Sequence, residues 1–369
     1  MKKNTIFFFF HEGDVTGATL SLYRLINNSS IFDEYDVHIY VPQHDSFLLQ
    51  KFKGYNCTLH TFPRVLSNRR KVYQLLIYFY RMFTVIKRVK PSIVYANTIL
   101  SFDAVLISKI LGYKSILHVH EGSDILNLFS RRVKVLGALA DSFIFVSENS
   151  LNNFRKLVFL RHNFTLVPNA ITDIPEIGST IGNDTSKISL SVIGTVNRNK
   201  SQLSILSVLK EVNRNFTNNM VVLNIFGKVR DDDYLKEMND YIQINHLEDY
   251  VHFHGEIEDI ESIYRNTDIV IVASKDESFG MVTIEAFAFS KPVITSNNPG
   301  SLEIIKDGFN GLVYNYDHPH ELKKSIIYLI NNPIERDRII DNGLMTLKSK
   351  YMMSNVIPHW ENFLFLNMK

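Results

Sequence analysis

A chain of 369 residues, 45% hydrophobic and 21% charged, has an ordinary globular composition and is long enough for two domains, each with its own core. No apolar run approaches the roughly 18 residues of a membrane span, and the single cysteine, Cys57, excludes an intrachain disulfide. The formal charge of +2 conceals a split: residues 1–170 carry 21 Lys and Arg against 11 Asp and Glu, and the remainder 19 against 27. The first half therefore favours an anionic partner such as a membrane surface or a lipid pyrophosphate, and no nucleic-acid-binding motif accompanies the charge.

In chain order, Thr5 to Phe10 is apolar throughout and reads as a buried first strand. The polar His11-Glu12-Gly13-Asp14 directly behind it argues against a cleavable signal, so a cytoplasmic protein, or one peripheral on the inner face of the membrane, is expected. Further strands are expected at 36–41, 92–96, 115–120, 142–147 and 164–167, with helices between them at 17–27, 68–90, 99–111, 130–139 and 148–158. Residues 172–187, rich in Pro, Gly, Ser, Thr and Asn, read as a linker. The scheme then repeats, with strands at 188–193, 220–226, 250–253, 268–273, 292–295 and 312–314. Helical patterns fall at 200–213, 232–245, 258–265, 281–289, 319–331 and 334–349. Such alternation predicts two doubly wound α/β domains with parallel sheets, whose ligands bind beyond the carboxyl ends of the strands.

Gly17, in Thr16-Gly17-Ala18-Thr19, lets a ligand approach the backbone at a helix tip, although a plain strand-to-helix turn uses the same residues. From Arg64 to Lys90 there are eight Lys and Arg and no acidic residue. Val72, Leu75, Leu76, Phe79, Phe83 and Ile86 are spaced as one helix face, and Tyr73, Tyr78 and Tyr80 add aromatic surface. That helix either lies on anionic lipid or packs on a sheet with its charges outward. His118 and His120 alternate onto one face of a strand end, which would also suit a metal pair, but no third ligand is recognisable. Asp231-Asp232-Asp233 precedes a helical run and reads as a helix cap rather than as a metal site's Asp-x-Asp.

In Gly194-Thr195-Val196-Asn197-Arg198-Asn199-Lys200 the glycine permits a tight turn after a strand, and Lys200 stands within reach of a phosphate oxygen. Arg198 and Lys200 read equally well as solvated turn residues. The most informative stretch is Ser274-Lys275-Asp276-Glu277-Ser278-Phe279-Gly280-Met281-Val282-Thr283-Ile284-Glu285. A helix beginning after Gly280 puts Glu277 in the loop above it and Glu285 about two turns down. The amides between Phe279 and Val282 then have no intrahelical partners and form an electropositive tip. An anion at that tip, flanked by carboxylates that accept from hydroxyls, matches the layout of a sugar nucleotide.

Together with Glu285-Ala286, Lys291-Pro292-Val293 and Pro299-Gly300, this stretch resembles the Glu-x7-Glu region of retaining glycosyltransferases of family 4. The resemblance covers nearly the whole chain, is strongest from Gly194 to Val313, and implies the GT-B fold: two Rossmann-like domains facing a cleft, the C-terminal helix crossing back to the first. Residues 1–171 would form the acceptor-side domain, 188–350 the nucleotide-sugar domain and 351–369 the returning helix. It implies that Glu277 contacts the donor sugar and Glu285 the ribose, and that Ser278, Phe279, Gly280, Met281 and Val282 hold the diphosphate that Lys200 neutralises. It also implies that His120 stands beside the transferring sugar, and that Gly17 and His254, the latter in a loop resembling the one lining the family's nucleobase pocket, lie on the donor side. Thr195 departs from an arginine usual in the family, making Arg198 the candidate replacement; Thr16 and Ala170 depart as well.

The activity implied is transfer of a hexosyl group, with retention, from a UDP-sugar in preference to a GDP-sugar to a hydroxyl of a glycan or lipid-linked sugar. Bacterial surface polysaccharide is the expected setting, and no metal or other cofactor is expected. Two other readings fit the same residues: a GT-B fold epimerase acting on a nucleotide sugar, and a non-catalytic partner subunit, the latter motivated by Thr195, Ala170 and Ser290.

Overall fold

The computed structural model describes residues 3–14, 16–42, 46–64, 72–160, 163–175, 187–216, 220–257 and 259–369. It divides into two compact units, Met1–Thr172 with Met353–Lys369, and Asp173–Met352. Most of the expected linker lies outside the described residues.

The first unit holds seven strands: β1 (Thr5–Phe9), β2 (Asp36–Val41), β3 (Thr58–Thr61), β4 (Ile93–Asn97), β5 (Lys114–Val119), β6 (Ser142–Phe145) and β7 (Asn163–Leu166). They pair in parallel in the order β3-β2-β1-β4-β5-β6-β7. β1 is central, so both its faces are covered: Ile6, Phe8 and Phe10 enter one core and Phe7 and Phe9 the other. Burying each such phenylalanine stabilises the unit by roughly 1.5–3 kcal/mol. β3 was not expected, because its four residues at the sheet edge are only partly covered and carry no apolar run.

The helix expected at 68–90 is observed as Val72–Val89, and Arg69, Arg70 and Lys71 fall outside the described residues. Of the expected apolar face, Phe79, Phe83 and Ile86 pack on the core, and Leu76 does not. Tyr78, Met82 and Ile86 are buried, whereas Tyr73, Leu76, Ile77 and Tyr80 are exposed. Tyr78 turns inward because its hydroxyl donates to Asp103, which also receives Arg64 in a buried ion pair. The C-terminal helix Met353–Met368 packs Met353, Val356, Trp360, Phe363 and Leu364, spaced along one face, into the first core.

The second unit holds β8 (Lys187–Ile193), β9 (Met220–Phe226), β10 (Val251–Gly255), β11 (Ile269–Val272), β12 (Val293–Ser296) and β13 (Leu312–Tyr314). They are parallel in the order β10-β9-β8-β11-β12-β13. In each unit the order reverses beside the first strand, between β1 and β4 and between β8 and β11. Connections leave such a switch point in opposite directions and open a crevice at the carboxyl ends of the strands. The loops after β1, β8 and β11 carry Gly17, Lys200 and Glu277.

Candidate active site

In the second unit the site starts from two glycines. Gly194 has φ +138°, and a β-carbon there would touch the Lys200 side chain; Gly227 has φ +137°, and a β-carbon there would fall 2.0 Å from the Gly194 carbonyl oxygen. Only glycine lets these turns after β8 and β9 lie against each other with Lys200 across the first. Asn197 caps the turn Arg198–Lys200, its Oδ1 accepting from the Lys200 amide at 3.0 Å. Asn199 joins this turn to the loop after β11. Its amide donates to the Asp276 carbonyl at 2.9 Å, its Oδ1 accepts from the Asp276 N–H at 3.0 Å, and its own carbonyl accepts from the Lys275 N–H at 2.8 Å.

That clamp sets Lys200 against Glu277, Nζ donating to Oε1 at 2.5 Å with both side chains largely covered. Ser274 Oγ donates to the same oxygen at 2.6 Å. Behind Glu277, Gly300 approaches so closely that a β-carbon would lie 2.1 Å from the Glu277 carbonyl oxygen. Gly300 sits in helix Pro299–Ile304, capped by Asn298, which also donates to the Ser274 carbonyl at 3.3 Å.

Gly280, at φ +107°, ends the loop and starts helix Met281–Ala288, which has no side-chain cap. Its tip leaves backbone donors for an anion. Phe279 is buried edge-on against Tyr351, so at this tip Phe279 can offer only its main chain. Met281 and Val282 are half-buried in the first turn. About one turn into the helix, Glu285 Oε2 accepts from the Tyr264 hydroxyl at 3.2 Å. Burial, then the Glu285 charge, holds the Tyr264 phenol well above its ordinary pKa, so it remains a donor. Tyr264 was not legible in the sequence, since nothing in helix Ile260–Arg265 marks it as a partner of Glu285.

The structure brings Lys200, Glu277 and the tip after Gly280 together and directs Arg198 elsewhere. Its guanidinium pairs with Glu237 at 2.8 Å, approaches Asp231 at 3.8 Å and stacks over Tyr234. An anion beside Lys200 would have to draw it away from these partners. Asp231 is a helix cap, accepting from the Tyr234 N–H at 2.9 Å. His254 stacks on Phe226 at 4.5 Å and meets Asn224 Oδ1 at 2.8 Å, at the end of β10 beside the Gly227 turn.

In the first unit, Gly17 opens helix Gly17–Asn27 with no atom within 4 Å of the place its β-carbon would take, so the backbone there is approachable. Thr16 caps that helix and donates to Glu12 at 2.8 Å; Glu12 also pairs with His11 at 2.9 Å. His120 packs on His118 with ring centroids 3.9 Å apart. Burial, then repulsion from His11, pushes His120 down to about 3, and burial with His120 beside it lowers His118 well below the ordinary imidazole range. Both rings are neutral at physiological pH. The Glu121 carboxylate accepts from the Ile99 and His120 amides, each at 3.0 Å, bracing the loops after β4 and β5. His11 and Glu12 read in the sequence only as polar residues closing an apolar run. Among the described residues no group of three or more His, Cys, Asp or Glu is placed to hold a metal ion, and no helix is long and apolar enough to cross a membrane.

Comparison with known proteins gives this arrangement a family. Residues 173–345 match the model of the glycosyl transferases group 1, and residues 16–173 that of glycosyltransferase family 4. An uncharacterized glycosyltransferase of Methanocaldococcus jannaschii is 34% identical over 120 residues, 32% of this chain and 34% of its own length. A second from the same organism is 24% identical and covered to 89%, as is this chain. The crystal structure of Anabaena HepE in complex with UDP and glucose superposes with a TM-score of 0.82 at 19% identity, covering 98% of this chain and 99% of that one. The chain belongs to the group 1, family 4-like glycosyltransferases of GT-B fold.

Proposed function

We propose that this protein transfers a hexosyl group, with retention at the anomeric carbon, from a UDP-sugar to a hydroxyl of a glycan or lipid-linked sugar. The observation that carries the reading is the Lys200–Glu277 pair, 2.5 Å apart, beside the uncapped tip of helix Met281–Ala288. A cation and backbone donors at one point stabilise charge developing on a departing diphosphate. The adjoining carboxylate accepts from sugar hydroxyls, and Glu285, oriented by Tyr264, accepts from the ribose. UDP is favoured as the carrier by analogy with HepE, which was crystallised with UDP and glucose. No metal is assigned a step, because Lys200 and the helix tip supply the positive charge.

The acceptor reading rests on the helix Val72–Val89. Tyr73, Leu76, Ile77 and Tyr80 form an exposed stripe at helical spacing, and Arg81, Lys87, Arg88 and Lys90 are exposed beyond it. An apolar stripe bordered by cations suits the surface of an anionic membrane, where lipid-linked sugars reside.

The test is thermal stabilisation by UDP, GDP and their sugars in EDTA, with wild type and Glu285→Ala in parallel. A ligand at 100 times its dissociation constant adds roughly 2.7 kcal/mol. A shift with UDP and its sugars that is lost in Glu285→Ala is the expected result. Equal shifts in both proteins would remove Glu285 from the ribose, a shift with GDP alone would change the base, and no shift with any ligand would favour a non-catalytic subunit.

A further inference from the structure

We infer that His118 is a positioning residue, locked as its Nε2–H tautomer by a hydrogen-bond chain from Trp360 through Tyr95, and that this lock sets the ring on which His120 rests. The inference rests on the proposed transferase reading only in placing His120 beside the transferred sugar.

The chain of donors has one direction. Trp360 Nε1 lies 3.1 Å from the Tyr95 hydroxyl oxygen and, as an indole N–H, can only donate. Tyr95 is completely buried, and burial raises its pKa, so the phenol keeps its single proton. The remaining partner of that hydroxyl is His118 Nδ1, at 2.7 Å. The phenol therefore donates to Nδ1, and a neutral His118 carries its own proton on Nε2. With the proton on Nδ1 instead, that N–H would donate to the phenol oxygen and the phenol's own proton would be left without an acceptor, a costly arrangement inside a core. Which ring nitrogen of a histidine is protonated is set by the bond the other nitrogen makes.

A second observation marks the same strand ends as polar and unpaired. Four buried polar atoms without a hydrogen-bond partner, His11 Nδ1, Asn97 Oδ1, His118 Nε2 and His120 Nε2, belong to the exits of the adjacent strands β1, β4 and β5. Buried groups of this kind are normally satisfied, so the cluster is built to meet a polar molecule, and a hydroxyl-bearing sugar supplies both donors and acceptors. His118 itself is fully buried, its ring against His120 at 3.9 Å. It thus acts through His120, which it supports from beneath. Trp360 lies in the C-terminal helix, 265 residues from Tyr95 in the sequence. The returning helix would thereby control the electronic state of a site made from the first unit's strands.

The test reads the tautomer directly. Long-range 1H–15N correlation spectra of the 15N-histidine-labelled full chain, with His118 assigned by comparison with His118→Gln, should show Nε2 protonated and Nδ1 bare. Tyr95→Phe should convert this to a mixture and lower kcat about tenfold while the donor KM stays within about twofold. Trp360→Phe, which breaks the same chain at its other end should Tyr95→Phe not fold, should weaken the tautomer bias. Protonation at Nδ1 in the wild type, or Tyr95→Phe leaving both tautomer and kcat unchanged, would overturn the inference. An Nε2–H signal in a protein that transfers no sugar from any nucleotide donor would uphold the lock and defeat the transferase reading instead.

Discussion

His118 and His120 are packed ring against ring, and His60 stacks on Phe7 with centroids 5.5 Å apart. Burial lowers all three, and it is joined by His120 at His118, by His11 at His120 and by His38 and Arg88 at His60; His120 is pushed to about 3 and His60 to about 4. Each imidazole is thus neutral when folded but binds a proton near its ordinary value of 6.5 when unfolded. The sign follows directly: stability is full above that value and is lost as pH falls from 6.5 toward the folded values, because the unfolded chain takes up protons the folded one refuses. Glu121, raised by its burial, works in the opposite sense: its contribution is present below its ordinary value and is lost as pH rises through the raised one. Urea midpoints should therefore be level between pH 7 and 8 and drop between pH 6.5 and 5, before ordinary carboxylates titrate. A flat profile over that interval would mean the imidazoles are hydrated in the folded protein.

At the level of elements, the placement of Glu277 is a matter of a turn, a loop and a helix held edge to edge. The turn Arg198–Lys200 is tied to the loop after β11 by Asn199, and that loop in turn rests on helix Pro299–Ile304 through Gly300. Glycine is required at 300 by proximity, since its backbone does not adopt a left-handed conformation and any β-carbon meets main chain that cannot rotate away. Gly300→Ala should accordingly cost about 1–3 kcal/mol of stability and displace Glu277. Denaturant titration gives the first quantity, and loss of the nucleotide-sugar shift with retention of the UDP shift would report the second. Unchanged stability would show that helix Pro299–Ile304 slides freely over the loop.

Over the whole molecule the charge is distributed by sequence half, positive in the first and negative in the second. The exposed stripe of Tyr73, Leu76, Ile77 and Tyr80 lies in the positive half. Each Lys or Arg near an anionic surface adds about 1 kcal/mol of attraction that decays within a Debye length. The protein should thus sediment with vesicles containing phosphatidylglycerol and not with purely phosphatidylcholine ones, and high salt should weaken the association. Leu76→Glu with Tyr80→Glu should reduce binding about tenfold or more, since both apolar burial and charge are lost. Equal partition of the variant and the wild type would assign the stripe to another partner.

Lys200 was placed beside Glu277 through the family resemblance, whereas the two parallel-sheet halves, most of their strands and helices, and the placement of Glu277 and Glu285 around a helix starting after Gly280 were legible without coordinates. Each rests on a local requirement: burial period, a positive φ, a helix tip. Contacts between distant segments were not legible. Asn199 clamps a backbone 77 residues away, Tyr264 orients Glu285, Arg198 turns to Glu237, Tyr78 turns inward to Asp103, and Trp360 reaches Tyr95. These depend on strand order and on which loops the sheet brings side by side, and neither is written in the spacing of residues along one segment. The sequence thus determined which groups are available for the chemistry; the tertiary structure decided which of them face one another and which are spent holding the others in place.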